Sequence, residues 1–170
     1  VALEVIHWMD TVLSDRQRGG FYASQDADES LDDDGDYFTW THEEAAAVLT
    51  PEEMDVAAAY YDIDELGDMH HNPKKNVLHR NYSAEEVAQR LNRAPADVEA
   101  NLASAKQKLY AARLQRPTPF IDKTLYTGWN AMAVSSYLDA ARVLDSAAPR
   151  VFALRTLDRI LREAWDPAEG

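Results

Sequence analysis

Two acidic side chains near the N-terminus are the first candidates for chemistry. Asp26 and Asp28 alternate with Ala27, so on an extended strand both carboxylates project from the same face. Two carboxylates held that close favour a raised pKa for one of them, which lets a carboxyl group act as a general acid beside an ionised partner. The alternative is structural, with both acids in a solvated loop or capping neighbouring backbone amides.

A second group of polar and aromatic residues lies in the C-terminal third of the chain. Asp122 and Lys123 precede a predicted helix, and Trp129 and Asn130 lie in its first turn. Unpaired amides at a helix start favour anions and oxygen-rich ligands. A tryptophan adds a stacking face, and an asparagine adds an amide that both donates and accepts hydrogen bonds. The alternative is that Trp129 begins an apolar core stripe and that Asp122 and Lys123 form a surface ion pair.

These residues need elements that position them, and the first is a predicted β-hairpin over about residues 20–41. Its arms carry Tyr22 and Trp40, and its tip is the acidic turn 29–35. The register of that turn disfavours an EF-hand calcium site, because its first and twelfth positions would be Ser30 and Thr41 instead of Asp and Glu. The nearby Lys74 and Lys75 either pair with the acidic turn or receive an anionic substrate group.

A long loop is predicted over about residues 62–80, ending in an extended segment at 76–79. It contains His70, His71 and His79. Adjacent histidines point in different directions on regular structure, and no carboxylate lies at ligand spacing beside them, so we expect solvated side chains and no metal site. His79 is the imidazole available as a base.

The remaining chain has the periodicity of amphipathic helices. Seven helices are predicted, over about 1–13, 41–49, 51–61, 83–91, 94–113, 127–144 and 149–165. Capping boxes open two of them, Thr41 with Glu44 and Ser83 with Glu86. In the last two helices the predicted buried stripes are Trp129, Met132, Ala133, Ser136, Tyr137, Ala140 and Leu144, then Leu154, Leu157, Leu161 and Ala164 or Trp165.

Composition excludes several classes of function. The 170 residues carry a net charge of −13, which disfavours binding to nucleic acid. No apolar run approaches the ~18 to 20 residues of a membrane span, and no cysteine is present for disulfides or thiol chemistry. We expect a soluble, cytoplasmic protein without a cofactor, and the length favours one domain.

Four motifs in order resemble those of the thioredoxin-domain-containing proteins related to spermatogenesis-associated protein 20. They are Gly-Gly-Phe-Tyr-Ala-Ser-Gln-Asp-Ala-Asp at 19–28, Tyr-Phe-Thr-Trp-Thr at 37–41, Asn-Val-Leu-His at 76–79, and Asp122-Lys123 followed by Trp129-Asn130. The resemblance implies a mainly α fold, a partial (α/α)6 toroid of helical hairpins similar to the six-hairpin glycosidases. It also implies a preceding thioredoxin-like domain that this chain lacks. The chain departs from the family pattern at Ile121 and Ala131, where a second acid and a glycine are common.

The resulting expectation is a carbohydrate-processing domain that holds a sugar-like ligand. Asp122 with Asp26 or Asp28 would supply acid and base for a glycosidase, and His79 a base for a sugar epimerase. Tyr22, Trp40, Lys123, Trp129 and Asn130 would line the substrate cleft. The alternative is a non-catalytic binding or scaffold module whose partners are the thioredoxin-like domain and the rest of the toroid. An isolated part of a toroid is expected to self-associate or to repack as a compact bundle.

Overall fold

The computed structural model describes residues 1–31, 33 and 35–168, so Asp32 and Asp34 of the predicted acidic turn lie outside the described residues. The described chain is mainly helical, as predicted. Its helices are α1 (Ala2–Thr11), α2 (His42–Val48), α3 (Pro51–Tyr61), α4 (Ala84–Leu91), α5 (Pro95–Arg113), α6 (Thr127–Val143) and α7 (Ala147–Glu163). Its strands are β1 (Ser24–Gln25), β2 (Trp40–Thr41), β3 (Lys75–Asn76) and β4 (Ile121–Asp122).

The chain folds into two compact units. Unit 1 combines Val1–Asp26 with the described residues from Phe120 onwards, and unit 2 is Ala27–Pro119. Among the described residues, none of the helices is long and apolar enough to cross a membrane. The toroid implied by the family resemblance stays a prediction.

Three helices of unit 2 begin at a capping box, in which a hydroxyl and a carboxylate each accept a backbone N–H three residues apart. The pairs are Thr41–Glu44, Thr50–Glu53 and Ser83–Glu86. The first and third were predicted from the sequence. The second was not, although Pro51 had correctly marked the start of α3.

Unit 2 has two apolar cores, built on different faces of α3. The first core contains Trp40, Met54, Ile63 and Leu109, so it joins α3 to α5 and to strand β2. The second core consists of Val56, Val87, Ala88 and Val98, so it joins α3 to α4 and to the start of α5. Each core is sealed by side chains at helical spacing, as the amphipathic pattern predicted.

Unit 1 is organised around Phe21, which lies between α6 and α7. The Phe21 ring meets Tyr137 edge-on at 4.7 Å and Phe152 at 5.1 Å between ring centroids. Edge-to-face aromatic pairs at these distances stabilise a core beyond their buried area. Helix α1 has no buried residue and ends at Thr11, close to the predicted end at residue 13.

The predicted β-hairpin over residues 20–41 does not form. Its first arm, β1, pairs with β4 in unit 1, and its second arm, β2, pairs with β3 in unit 2. Both pairings are antiparallel. The alternating pattern identified extended segments correctly, but it contains no information about which distant segment supplies the free N–H and C=O groups.

The buried faces of α6 and α7 also differ from the prediction. Trp129 and Met132 are more than half exposed, and α6 buries Asn130 and Val134 in addition to Tyr137, which the stripe predicted correctly. Helix α7 buries Phe152, Ala153 and Thr156, whereas Leu154, Leu161 and Trp165 are exposed. Apolar residues lie on several sides of both helices, so the hydrogen bonds of Asn130 and Thr156 decide which side faces inward.

The long loop over residues 62–80 was predicted correctly and is fixed by Asn76 in strand β3. The Asn76 Nδ2 donates to the carbonyl oxygens of Trp40 (2.9 Å), Asp64 (3.0 Å) and Lys74 (3.3 Å). Its Oδ1 accepts from the Asp64 backbone N–H at 3.0 Å. Because Asn76 is 1% exposed, these bonds tie the loop to β2 in a region shielded from water.

Candidate functional site

The predicted site residues are divided between the two units. Unit 1 contains Tyr22, Asp26, Asp122, Lys123, Trp129 and Asn130, and unit 2 contains Asp28, Trp40 and His79. The chain passes from unit 1 to unit 2 between Asp26 and Ala27.

In unit 1 the ribbon of β1 and β4 brings two predicted acids to one face. Ser24 lies opposite Asp122, and the Asp26 backbone N–H donates to the carbonyl oxygen of Phe120 at 2.8 Å. Asp26 is two residues beyond Ser24, so strand alternation places it on the same face as Asp122. Diagonal neighbours of this kind have backbones roughly 7 to 8 Å apart.

The Asp122 carboxylate is held by the threonine that follows it. Its Oδ1 accepts from the Thr124 hydroxyl at 2.6 Å and from the Thr124 backbone N–H at 2.9 Å. These two hydrogen bonds hold the pKa of Asp122 below its ordinary value. Asp122 is therefore ionised at neutral pH and suited to accept a hydrogen bond.

Aromatic residues that precede β1 or follow β4 in the sequence lie at or near the surface. Trp129 is 56% exposed, and its ring packs against Tyr126 with 4.8 Å between centroids. The Lys123 ammonium lies 5.9 Å from the centroid of the Tyr22 ring. Trp129 and Tyr126 are therefore accessible at the surface of unit 1, and the role of Trp129 as a stacking residue stays a prediction.

Asn130 is buried and its amide is used by the fold. Its Oδ1 accepts from the Phe21 N–H at 2.7 Å, and its Nδ2 donates to the carbonyl oxygens of Phe21 (3.0 Å) and Tyr126 (3.1 Å). The residue is 1% exposed. The proposed role of Asn130 in substrate binding therefore competes with three backbone bonds, and we assign it to positioning Phe21.

Asp28 does not share a strand face with Asp26, because Asp26 bonds to the ribbon of unit 1 whereas Asp28 belongs to unit 2. The Asp28 Oδ1 instead accepts from the backbone N–H of Gly35 at 2.9 Å, which closes the turn between them. Gly35 adopts a φ of +75°, a conformation that glycine takes without strain. The prediction of an Asp26–Asp28 pair on a strand was wrong, and the capping alternative describes Asp28.

Trp40 and His79 differ in exposure. Trp40 is 3% exposed and lies beneath the Arg116 guanidinium, 4.0 Å from its ring centroid, so its faces are already covered. His79 is exposed, with its Nε2 3.8 Å from the Asp62 carboxylate. Among the described residues no three histidine or acidic side chains group as they would around a metal ion.

Unit 2 contains a charged cleft of about 380 Å³ that the sequence did not predict as a unit. The Lys75 Nζ, almost fully buried, donates to both oxygens of Glu44 at 3.1 Å and lies 3.6 Å from the Asp36 carboxylate. Burial alone would raise the pKa of Glu44, but its bonds to Thr41 and Lys75 bring the pKa below its ordinary value. The sequence predicted that Lys75 pairs with the acidic turn 29–35, whereas the structure pairs it with Glu44 and with Asp36, which follows that turn.

Arg116 forms the opposite wall of this cleft. One of its terminal nitrogens donates to the carbonyl oxygens of Asp36 (2.6 Å), Tyr37 (3.2 Å) and Thr39 (2.7 Å). Three backbone carbonyls on one guanidinium fix the chain just before β2. No motif marks this arginine, and only its place after the end of α5 was visible in the sequence.

Comparison with known proteins identifies relatives of the chain. No protein-family model matches it. Human spermatogenesis-associated protein 20 is 29% identical over 192 residues, covering 100% of this chain and 24% of the human protein. The mouse protein of the same name is 29% identical over 159 residues, which are 81% of this chain and 20% of that protein. The chain is homologous to spermatogenesis-associated protein 20.

An uncharacterized protein of Caenorhabditis elegans is also similar, at 32% identity over 141 residues, 72% of this chain and 19% of the worm protein. The chain thus spans about a fifth to a quarter of the length of the curated relatives it matches. The homology agrees with the resemblance seen in the motifs. The thioredoxin-like domain and the toroid remain predictions.

The first motif of that resemblance has a structural explanation at its glycines. The Gly20 N–H donates to the buried Thr156 hydroxyl at 2.9 Å. At Gly19, where φ is +88°, a Cβ would lie 2.8 Å from the carbonyl oxygen of Arg155. The two glycines therefore allow the chain to lie close to the backbone of α7, and the next residue, Phe21, packs in the core of unit 1.

Proposed function

We propose that unit 1 binds a sugar-like ligand across the β1–β4 ribbon and acts on it through two carboxyl groups. The observation that carries this proposal is the ribbon register, which puts Asp26 and Asp122 on one face as diagonal neighbours. Inverting glycosidases keep their two carboxyls ~6.5 to 9.5 Å apart, with a water between base and sugar. The diagonal backbone separation of roughly 7 to 8 Å is compatible with that arrangement.

The roles of the two acids differ in this proposal. Asp122 is ionised, because Thr124 stabilises its charged form, and it would accept a proton from the attacking water. Asp26 would give a proton to the departing glycosidic oxygen. The exposed pair of Tyr126 and Trp129 would stack on the apolar face of the sugar ring.

A non-catalytic binding module is the second candidate, and a specific observation favours it. Several predicted polar groups already serve the backbone: Asp28 closes a turn, Asp122 binds Thr124, and Asn130 binds Phe21. Side chains that are already hydrogen-bonded within the fold are poorly placed to transfer protons, which favours a binding role over catalysis. The partner in this reading is the thioredoxin-like domain implied by the resemblance.

One titration separates the two candidates. Tryptophan fluorescence of the full chain is followed against a panel of mono- and disaccharides for the wild type, Trp129→Ala, Asp26→Asn and Asp122→Asn. The matched control is Asp139→Asn, an exposed acid of α6 that pairs only loosely with Arg142. Release of reducing sugar is measured in parallel from chromogenic glycosides.

The enzyme proposal expects sugar binding that Trp129→Ala weakens, and turnover that Asp26→Asn and Asp122→Asn both abolish while Asp139→Asn leaves it unchanged. Binding without turnover, insensitive to both Asn variants, would support the binding module. Absence of saturable binding by every sugar would exclude the carbohydrate reading.

A further inference from the structure

A second concave site lies in unit 2, on the exposed side of α5. It is a cleft of about 190 Å³ lined by three aromatic residues, two leucines and two basic residues. The aromatic residues are Trp40, Tyr61 and Tyr110, and the basic ones are Lys106 and Arg113. None of its lining residues among those described is acidic, although the protein has a net charge of −13.

Arg113 is the unusual residue of this cleft. Its guanidinium lies among three aromatic rings, 5.2 Å from the centroid of Tyr110, 5.6 Å from Tyr37 and 5.8 Å from Phe38. Its Nε is buried, and among the described residues it has no hydrogen-bond partner. A buried N–H without an acceptor is uncommon in folded proteins and calls for an explanation.

The chemistry of the cleft selects its ligand. An aromatic and leucine-lined wall favours a planar apolar body, and a guanidinium favours a carboxylate, which it binds through two parallel N–H···O bonds. A guanidinium can also present its two terminal nitrogens as such a fork, so Arg113 can bind a carboxylate in the cleft while its Nε stays buried. Phosphate alone would bind the cation and leave the aromatic wall in contact with water.

Size narrows the ligand further. Pockets for drug-sized molecules usually measure ~300 to 1,000 Å³, so a cleft of about 190 Å³ suits a ligand with one ring. The absence of an acid among the described lining residues disfavours a cation, and Arg113 disfavours it further.

We propose that this cleft of unit 2 binds a small aromatic carboxylate, with the ligand ring against Tyr61 and Tyr110 and its carboxylate on the guanidinium of Arg113. The site is separate from the ribbon of unit 1 in its residues and its chemistry. It depends on no step of the function proposed for that ribbon.

The test uses benzoate as the probe and benzamide as its neutral counterpart, each titrated into the full chain by calorimetry and by NMR. Benzoate is expected to saturate the site and to shift the ring resonances of Tyr110. Benzamide keeps the ring but lacks the charge, so it should bind at least roughly tenfold more weakly. Inorganic phosphate should compete poorly.

Two variants and one control locate the binding. Arg113→Lys keeps the positive charge but removes the planar fork, and it should weaken benzoate by roughly tenfold. Tyr110→Ala should weaken benzoate and benzamide alike. Arg142→Lys, an exposed arginine of α6, is the matched control and should change neither.

Several outcomes would overturn the proposal. They are the absence of saturable benzoate binding, equal affinities for benzoate and benzamide, and a benzoate affinity that neither Arg113→Lys nor Tyr110→Ala alters. Tighter binding of phosphate than of benzoate would assign the site to a simple anion. Circular dichroism of each variant establishes that it is folded, and the two-ligand comparison on the wild type holds even where a variant unfolds.

Discussion

The two units of this protein each contain one buried asparagine that binds backbone, but they differ in what surrounds it. Asn130 in unit 1 and Asn76 in unit 2 are both 1% exposed and both donate and accept hydrogen bonds with main-chain groups. The hydrogen-bond partners of Asn130 are uncharged main-chain groups of Phe21 and Tyr126. Unit 2 instead joins its helices with buried charge.

The clearest buried charge in unit 2 is Glu53, which is 5% exposed. Its carboxylate accepts from the Lys108 ammonium at 2.7 Å and from the Ser104 hydroxyl at 2.6 Å. These bonds, with the Thr50 backbone N–H, lower the pKa of Glu53 to about 2. Unit 1 should therefore respond most to changes of shape, and unit 2 to changes of proton concentration.

The largest effect is expected from Gly19→Ala in unit 1. The new Cβ would lie 2.8 Å from a backbone oxygen of α7 at a φ of +88°, so both a clash and a strained conformation result. We expect a loss of about 4 kcal/mol in the free energy of unfolding, measured by urea denaturation. Gly128→Ala is the matched control, because nothing lies within 4 Å of its Cβ, and it should stabilise α6 by up to ~1 kcal/mol. Equal effects of the two variants would contradict this.

Replacing the two asparagines compares the units directly. Asn130→Ala removes the side-chain partner of the Phe21 N–H and of the Phe21 carbonyl, whereas the Tyr126 carbonyl keeps its bond to the backbone N–H of residue 130, and we expect a loss of roughly 3 kcal/mol. Asn76→Ala should cost a similar amount in unit 2. The exposed Asn101→Ala, which removes a single bond to Asp97, should cost less than about 0.5 kcal/mol. A loss below about 1 kcal/mol at Asn130 would show that its bonds are replaced by water.

Acid should distinguish the units through Glu53. Its pKa is lowered from 4.5 to about 2, so the stabilisation is complete above pH 4.5 and is lost as the pH falls towards 2. The contribution is up to about 3 kcal/mol. Denaturation of Glu53→Gln between pH 5 and pH 2 should show a shallower acid loss than the wild type, whereas the exposed neighbour Glu52→Gln should not. An unchanged slope in Glu53→Gln would assign the acid response to other groups.

The smallest effect on stability is expected from the exposed apolar side chains of unit 1. Val143 is 70% exposed and Leu161 is 48% exposed. Val143→Lys and Leu161→Lys should change the free energy of unfolding by less than about 0.5 kcal/mol. If these side chains cause self-association, as exposed apolar patches do, light scattering should fall in both variants but not in Ser135→Lys. A wild-type protein that is monomeric at every concentration would contradict the prediction of self-association.

The features that could be predicted from the sequence are local ones. A capping box needs only a hydroxyl and a carboxylate three residues apart, which is why Thr41–Glu44 and Ser83–Glu86 were identified. Helix bounds agreed within a few residues because periodicity and prolines act over short distances. The exposure of Trp129 could not be predicted in this way, because it depends on which of several apolar sides of α6 is buried.

What escaped prediction requires distant partners. The hairpin was wrong because Ser24 pairs with Asp122 and Trp40 with Asn76, and neither pairing has a signature within the strand itself. Arg116 reaches the carbonyl oxygens of residues 36, 37 and 39 from far along the chain. That Asp26 and Asp122 are diagonal neighbours in the ribbon likewise follows from the strand register, which the spacing of the two acids in the sequence does not reveal.

The two buried asparagines also protect particular protons from the solvent. The Phe21 N–H ends on the Asn130 oxygen and the Asp64 N–H on the Asn76 oxygen, and neither residue lies in a helix. Each amide proton can exchange with deuterium only when its hydrogen bond to the asparagine side chain opens. Their exchange rates therefore report the opening of unit 1 and of unit 2 independently in a single native sample. Equal free energies of opening, with equal responses to low denaturant, would mark one cooperative transition, whereas different ones would mark two.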